Sequence, residues 1–141
     1  MNIDLFATEL GVMEVFASED EICNSVLACR GGELISVIVF RGQKMQTCDS
    51  AFDEMSAALQ FPYYFGNNWN AFDECLNDPD WMPRGRLVIV LTHAERLFAQ
   101  EKLQEHQVKT LVKILERASV DWTTGTNGRK LELSCVLATQ K

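Results

Sequence analysis

Three apolar runs of strand length, separated by helix-like stretches, constrain the fold of this chain more than any other feature. The clearest is Leu87–Leu91, and similar runs cover residues 34–40 and 131–138. Continuous apolar runs are typical of strands covered on both faces, and strands that alternate with helices form parallel sheets. Weaker alternation at Val12–Phe16 adds a short strand. The sequence therefore predicts an α/β fold with a small, mostly parallel sheet of three to four strands flanked by helices.

Start and stop signals define the helices between these strands. A capping box at Ser18 and Glu21 starts the first helix, and Gly31-Gly32 ends it. A second capping box, at Thr92 and Glu95, predicts a short helix near residues 94–98. Apolar periodicity predicts further helices at 50–61, about 68–77 and about 102–118, and residues 123–130 are expected to form a loop.

All of these elements are expected to belong to one domain over residues 1–141. A chain of 141 residues has room for one compact core, and 47% apolar with 23% charged residues is ordinary for a globular protein. The sequence contains no internal repeat and no long linker. Residues 1–11 are expected to be a loosely specified lead-in, and residues 12–32 an extra strand and helix before the core.

The net charge narrows the classes of partner. The chain has 13 Lys and Arg against 20 Asp and Glu, a net charge of −7. Proteins that bind nucleic acid or anionic membranes need a basic face, so these partners are disfavoured and a basic protein is favoured. No apolar run approaches the roughly 18 residues of a membrane span, and the first residues lack a basic signal-peptide region. We therefore expect a cytoplasmic protein.

Few residues suggest catalysis. The five cysteines include no C-x-x-C pair and are expected to be reduced, partly buried thiols. His93 and His106 belong to no metal-binding motif and are expected to be solvated surface side chains. Gly125 and Gly128 precede a strand, which is the wrong context for a phosphate-binding loop. We assign no catalytic residue, no metal site and no cofactor.

One segment is unusually rich in aromatic and acidic residues. Residues 61–83 hold seven of the aromatic residues, out of 8 Phe, 3 Trp and 2 Tyr in the chain, together with four carboxylates. Gly66 is expected to allow a left-handed or closely approached backbone before the helix. Trp69, Phe72 and Leu76 form a helical stripe that should face the core. Four polar residues share another side of this helix: Asn70, Asp73, Glu74 and Asn77.

The residues alone leave three interpretations of this polar side open. The first and commonest is a solvated helix face. The second is a carboxylate pair for acid–base catalysis, which requires a cleft and a perturbed pKa. The third is a protein-binding surface, where tyrosine and tryptophan anchors lie beside acidic groups that steer a basic partner. Composition alone favours the first.

The same segment carries a specific motif. Its constrained positions are Phe61-Pro62, Tyr64-Phe65-Gly66, Asn68-Trp69, Ala71-Phe72 and Cys75-Leu76. This pattern resembles the barstar family, the small intracellular inhibitors of barnase-type ribonucleases, and the order of predicted elements agrees along most of the chain. The resemblance implies a barstar-like three-layer sandwich without catalysis. It also implies that the loop and helix fill a ribonuclease active site, with helix carboxylates imitating RNA phosphates.

The resemblance implies a partner-binding role for individual residues of the loop and helix. Glu74 matches the main acidic position, where the family has Asp. Asn70 stands where the family usually has a second Asp, and Asp73 is a candidate to compensate for the missing charge. The candidate partner-binding residues are Tyr64, Gly66, Asn68, Trp69, Asn70, Asp73, Glu74 and Asn77.

Three hypotheses about function follow from these observations. The first is a non-catalytic inhibitor or immunity-type protein that binds a basic ribonuclease or toxin and blocks its active site. Its partner is expected to be a protein, neither nucleic acid nor membrane, and the free chain a monomer. The alternative, motivated by Asn70, is a barstar-fold interaction or regulatory module that binds another protein without inhibiting a ribonuclease. A third, enzymatic hypothesis rests on the carboxylates alone.

Overall fold

The computed structural model describes residues 4, 9–29, 35–78, 85–125 and 132–140. These residues form four strands and four helices, with short 3₁₀ turns at Gly42–Lys44 and Ala94–Arg96. The four strands make one all-parallel sheet, so the predicted α/β class is confirmed. The elements are β1 (Gly11–Ala17), α1 (Glu19–Cys29), β2 (Ile35–Arg41), α2 (Cys48–Leu59), α3 (Trp69–Leu76), β3 (Arg86–Thr92), α4 (Gln104–Thr124) and β4 (Glu132–Gln140).

Strands β3 and β4 are the most buried part of the sheet, whose strand order is β1-β4-β3-β2. Residues 87–92 and 133–138 are all buried. In the sheet register, Ile89 lies opposite Ile38 of β2 and Cys135 of β4. A strand that has neighbours on both edges and helices on both faces has little contact with water, which explains its continuous apolar run.

Each face of the sheet has its own apolar cluster, because successive side chains of a strand point to opposite faces. One cluster joins Leu87 and Ile89 to side chains from α2, α3 and α4. The other joins Val88 and Val90 to side chains from α1, including Ile22. Helix α1 therefore covers one face and the other helices cover the opposite face, which gives three layers.

Strand β2 departs from the prediction that each apolar run is covered on both faces. It lies at the edge of the sheet, and Phe40 is its only buried residue. An edge strand has a neighbour on one side only, so its apolar side chains keep partial contact with water. Strand β1 forms the other edge of the sheet. Its weak alternation of apolar and polar residues suits an edge strand, which is only partly covered.

Helix α4 continues past residue 118, where the apolar pattern predicted its end. The expectation that Thr123 begins a loop is therefore wrong. Trp122 is fully buried, and its Nε1 donates to the carbonyl oxygen of Leu76 at 3.2 Å, so the core-facing stripe is longer than the sequence indicated. Gly125 ends the helix with a φ of 74°.

The predicted capping box at Thr92 is also wrong. The residue before the short turn is His93, with a φ of 47°, and no side chain caps the turn. Thr92 Oγ1 instead donates to Gln43 Oε1 at 3.1 Å. Glu95 Oε1 accepts a hydrogen bond from the backbone N–H of Gln140 at 2.9 Å. Both side chains therefore join neighbouring segments rather than cap a helix.

His93 is not a solvated side chain, because only 17% of it is exposed. Its Nε2 hydrogen-bonds Glu19 on α1, and its Nδ1 lies 3.5 Å from Glu95 Oε2. The imidazole thus links α1 to the end of β3. His106 is exposed, as the sequence predicted.

The other helix starts agree better with their signals. The backbone N–H of Glu21 donates to Ser18 Oγ at 3.2 Å, so the cap of α1 is confirmed. Helix α2 begins two residues earlier than predicted, at Cys48. Thr47 caps it by accepting a hydrogen bond from the backbone N–H of Ser50 at 3.1 Å.

Some expected features lie outside the described residues. They include most of the lead-in, the glycine stop of the first helix, part of the aromatic segment with Trp81, and most of the loop before β4. The ranges concerned are 1–3, 5–8, 30–34, 79–84, 126–131 and residue 141.

The segments after β2 and β3 pack closely at the carboxyl end of the sheet. A Cβ atom added at Gly42 would lie 2.1 Å from the carbonyl oxygen of Thr92, which belongs to the backbone and cannot rotate away. Next to this contact, the backbone N–H of Phe98 donates to the carbonyl oxygen of Met45 at 2.8 Å. Glycine is therefore required at position 42 for close approach.

We expect Gly42→Ala to lower the free energy of unfolding by about 1–3 kcal/mol or more, because the added methyl group forces the two segments apart. Urea denaturation measures the loss. Gly66→Ala is the matched control, since its Cβ would meet only a side-chain atom, Asn68 Nδ2, at 3.3 Å. Equal losses in the two variants would contradict the close-approach explanation.

Arg41 and Glu54 fasten helix α2 to strand β2. Arg41 Nε and Nη2 donate to the two carboxylate oxygens of Glu54 at 2.8 Å each, and the backbone N–H of Arg41 donates at 3.0 Å. These hydrogen bonds, foremost those from the Arg41 side chain, lower the pKa of Glu54 against the opposing effect of its partial burial.

We expect this contact to stabilise the protein at neutral pH and to be lost in acid. Because the folded-state pKa of Glu54 is lowered, its contribution is complete above the unfolded-state pKa, about 4.3 for Glu. The contribution disappears as the pH falls through the folded-state pKa. Glu54→Gln should therefore lower the urea midpoint at pH 7 and lower it progressively less as the pH falls below about 4.3, whereas Glu116→Gln, at an exposed position, should have little effect throughout. A Glu54→Gln effect that does not diminish with falling pH would contradict this assignment.

Candidate functional site

The aromatic segment forms a loop that leads into helix α3. The backbone N–H of Phe65 donates to the carbonyl oxygen of Pro62 at 2.9 Å and closes a turn. Asn68 caps α3, because its side-chain oxygen accepts a hydrogen bond from the backbone N–H of Ala71 at 2.8 Å. We call residues 63–78, the loop with the outer side of α3, the loop–α3 surface.

The side chains on the inner side of α3 fix the helix to the core. The rings of Trp69 and Phe52 have centroids 5.0 Å apart, and Trp69 Nε1 donates to Gln107 Oε1 on α4 at 2.9 Å. Phe72 and Leu76 are fully buried. The predicted core-facing stripe is therefore confirmed, and the indole of Trp69 is half-buried with its N–H already bonded.

Tyr63 and Tyr64 face solvent instead. Tyr64 is 73% exposed and Tyr63 is fully exposed, and their ring centroids lie 5.7 Å apart in an edge-to-face arrangement. Tyrosine combines a large rigid contact area with a polar hydroxyl group, which makes it common at protein interfaces. The loop therefore presents two solvent-exposed aromatic rings.

Gly66 does not adopt the left-handed backbone that the sequence suggested as one possibility. A Cβ atom there would lie 3.3 Å from the side-chain atom Asn68 Nδ2, which is a tight contact, but it would meet no backbone atom of the described residues as it would at Gly42. Gly66, Asn67 and Asn68 are all exposed. They connect the tyrosine pair to the first turn of α3 in one continuous surface.

The four polar residues predicted on the outer side of α3 divide into two pairs. Asn70 and Glu74 are exposed, whereas Asp73 and Asn77 are half-buried. Asn77 Nδ2 donates to Asp73 Oδ1 at 3.1 Å. Arg117 Nη2 from α4 donates to the other oxygen, Asp73 Oδ2, at 3.4 Å. Within the described ranges, Glu74 is the carboxylate of this group that makes no hydrogen bond or ion pair.

The electrostatic surroundings of α3 are acidic. Burial, and then the negative charges of Asp78 and Glu74, raise the pKa of the Cys75 thiol. The C-terminal end of a helix also carries a partial negative charge. This part of the loop–α3 surface therefore favours a cationic group of a partner.

A shallow groove extends the surface toward α2. Its volume is about 380 Å³, and its lining includes Asp53, Ser56, Gln60, Tyr63 and Asn67. The sequence patterns suggested no role for Asp53 and Ser56 of α2, for Gln60 directly after it, or for Gln107 and Arg117 of α4. Their side chains reach the surface through tertiary packing, for which the local sequence pattern contains no signal.

Other reactive groups lie away from this surface or are protected. All five cysteines are unpaired, and Cys29 and Cys135 are buried. Burial raises the pKa of the thiols of Cys29, Cys48 and Cys135. In the part of the chain that the structure describes, no group of three or more His, Cys, Asp or Glu side chains could hold a metal ion.

A comparison with protein-family models matches residues 35–138 to the family described as Barstar (barnase inhibitor). The chain belongs to the barstar family. The matched region covers most of the chain, from β2 through nearly all of β4, and contains the whole loop–α3 surface. The family resemblance predicted from residues 61–76 is thereby confirmed.

Strand β1 and helix α1 of this barstar-family chain precede the matched region.

A comparison with curated proteins gives no match. Among the described residues, no helix is both long and apolar enough to cross a membrane.

Proposed function

We propose that this protein is a non-catalytic inhibitor that binds a basic ribonuclease or toxin in the cytoplasm and covers its active site with the loop–α3 surface. The family described as barnase inhibitors supports a ribonuclease-type partner. The net charge of −7 supports a basic one, because opposite net charges accelerate association. The free protein is a monomer in this proposal, and it contacts neither nucleic acid nor membrane directly.

The observation that carries the proposal is the unpaired carboxylate of Glu74 on the same loop–α3 surface as two exposed tyrosines. Glu74 is exposed and makes no hydrogen bond or ion pair among the described residues. A partner can therefore bind it without first breaking a contact within this chain. An active site that binds RNA phosphates presents lysine and arginine side chains, which form charge-assisted hydrogen bonds with carboxylates.

The packing of α3 supports the same role. Trp69 and Phe72 fix the helix against the core, and the capping side chain of Asn68 fixes its start. A rigid surface loses little conformational entropy on binding. The side chains that remain to be ordered are mainly exposed ones such as Tyr63, Tyr64 and Glu74.

Replacing Glu74 tests the acidic contact. We expect Glu74→Gln to raise the dissociation constant for a barnase-type ribonuclease at least about tenfold. Removing the charge of one partner leaves the other charge of a buried pair uncompensated, which costs more than about 1.4 kcal/mol. Calorimetry or surface plasmon resonance measures the affinity. The wild-type association rate should fall as salt rises, and the variant rate should fall less steeply.

The matched control is Glu116→Gln, which removes the same charge from an exposed position on α4. Its effect on affinity should be small, since it changes only the long-range field. If both variants weaken binding equally, the net charge and not the Glu74 contact drives the interaction. The proposal that the loop–α3 surface binds the partner would then be contradicted.

Tyr64 provides an independent test of the aromatic contact. We expect Tyr64→Ala to raise the dissociation constant by about tenfold or more, as for an interface tyrosine, without lowering the free energy of unfolding. Phe16→Ala on β1 is the matched control, because Phe16 and Tyr64 are both 73% exposed. A loss of affinity from Phe16→Ala that equals the loss from Tyr64→Ala would contradict a specific role for the loop.

The alternative function is an interaction module that binds another protein without inhibiting a ribonuclease. The observation that favours it is the neutral, exposed Asn70 at the position where an Asp is usual in the family. Asn70→Asp discriminates the two functions. Inhibition of a barnase-type ribonuclease that appears only in this variant would support the alternative, whereas inhibition by the wild type would exclude it.

A further inference from the structure

An arginine from helix α4 reaches into the acidic side of the loop–α3 surface. Arg117 Nη2 lies 3.4 Å from Asp73 Oδ2, and the side chains are 56% and 36% exposed. The second oxygen of Asp73 accepts a hydrogen bond from Asn77 Nδ2 at 3.1 Å. Both oxygens of this carboxylate therefore already have donors from the same chain.

This contact changes what the surface offers to a partner. Glu74 is free to meet a cation, whereas a cation directed at Asp73 must displace the guanidinium of Arg117 or lie beside it. A cation of the partner that approaches Asp73 also comes close to the guanidinium of Arg117. The two positive charges repel each other, and the repulsion grows as the interface excludes water. An exposed ion pair contributes little to the stability of the free protein, so the contact acts mainly on binding.

We propose that Arg117 is a specificity-determining residue of the loop–α3 surface, which competes with a partner's cation for Asp73. The inference rests on the proposed function and deepens it. The matching partner presents a lysine or arginine to Glu74 and an acidic side chain to Arg117. A partner whose site is uniformly basic binds less tightly, because it places a cation against Arg117.

The neighbourhood of Arg117 allows a matched control. Lys113 lies one turn earlier on the same side of α4. It is exposed and makes no ion pair among the described residues. Removing the charge of Lys113 or of Arg117 changes the net charge equally, but only Arg117 contacts Asp73.

The test uses the full chain with a barnase-type ribonuclease as the basic probe, and equilibrium affinity as the readout. We expect Arg117→Gln to tighten binding about three- to tenfold, the combined effect of a freed carboxylate and a removed like charge. Lys113→Gln should change affinity less than about twofold. Arg117→Lys, which keeps the charge, should remain close to the wild type.

A double-variant experiment shows whether Arg117 acts through Asp73. In the Asp73→Asn background no carboxylate remains to be freed and only the removal of a like charge is left, so Arg117→Gln should then tighten binding clearly less than it does in the wild-type background. A full gain in that background would overturn competition for Asp73. A loss of affinity from Arg117→Gln alone would also overturn the inference, because Arg117 would then contact the probe favourably.

The outcomes separate this inference from the proposed function. Binding that depends on Glu74 but responds equally to Arg117→Gln and Lys113→Gln rejects the inference and retains the function. Absence of binding in the wild type and in every variant rejects the function for this class of partner, and the inference with it.

Discussion

The burial of β3 and β4 on both faces is the constraint on which the rest of the structure depends. Parallel strands need crossover helices, and a central parallel pair needs those helices on both sides of the sheet. The family-matched region supplies α2, α3 and α4 for one face, and the preceding α1 covers Val88 and Val90 on the other. The extra strand and helix therefore complete the fold of this chain. Without them, residues that are now fully buried would face water.

The candidate binding surface is rigid because α3 packs against that core. Helix α3 has only eight residues, too few to be stable alone. It is held by the buried rings on its inner side and by the two indole hydrogen bonds that join it to α4, from Trp69 and from Trp122. Disturbing the packing of α4 would therefore alter this candidate surface without changing any residue on it.

Local sequence patterns predicted the parts of the fold that depend on local rules. The buried run of β3, the cap of α1 and the inner stripe of α3 each follow from periodicity or capping within a few residues. The errors concern residues whose role is set by distant segments. Thr92 and Glu95 look like a capping box but bind Gln43 and the backbone of Gln140. The contact between Arg117 and Asp73, which are 44 positions apart, could not be predicted either. No pattern within α4 shows which helix its polar side chains will face.

Long-range and short-range electrostatics act differently in this molecule. The net charge of −7 acts over about a Debye length, roughly 10 Å at 0.1 M salt, and so favours encounters with basic proteins in general. Discrimination among those proteins requires charges that act at contact distance, where water is excluded. In the proposed function, Glu74 would supply an attractive contact of this kind, and Arg117 would supply one that repels the wrong partner. A purely acidic surface would attract every basic protein, whereas an arginine placed within it makes the fit depend on where the partner carries its own carboxylates.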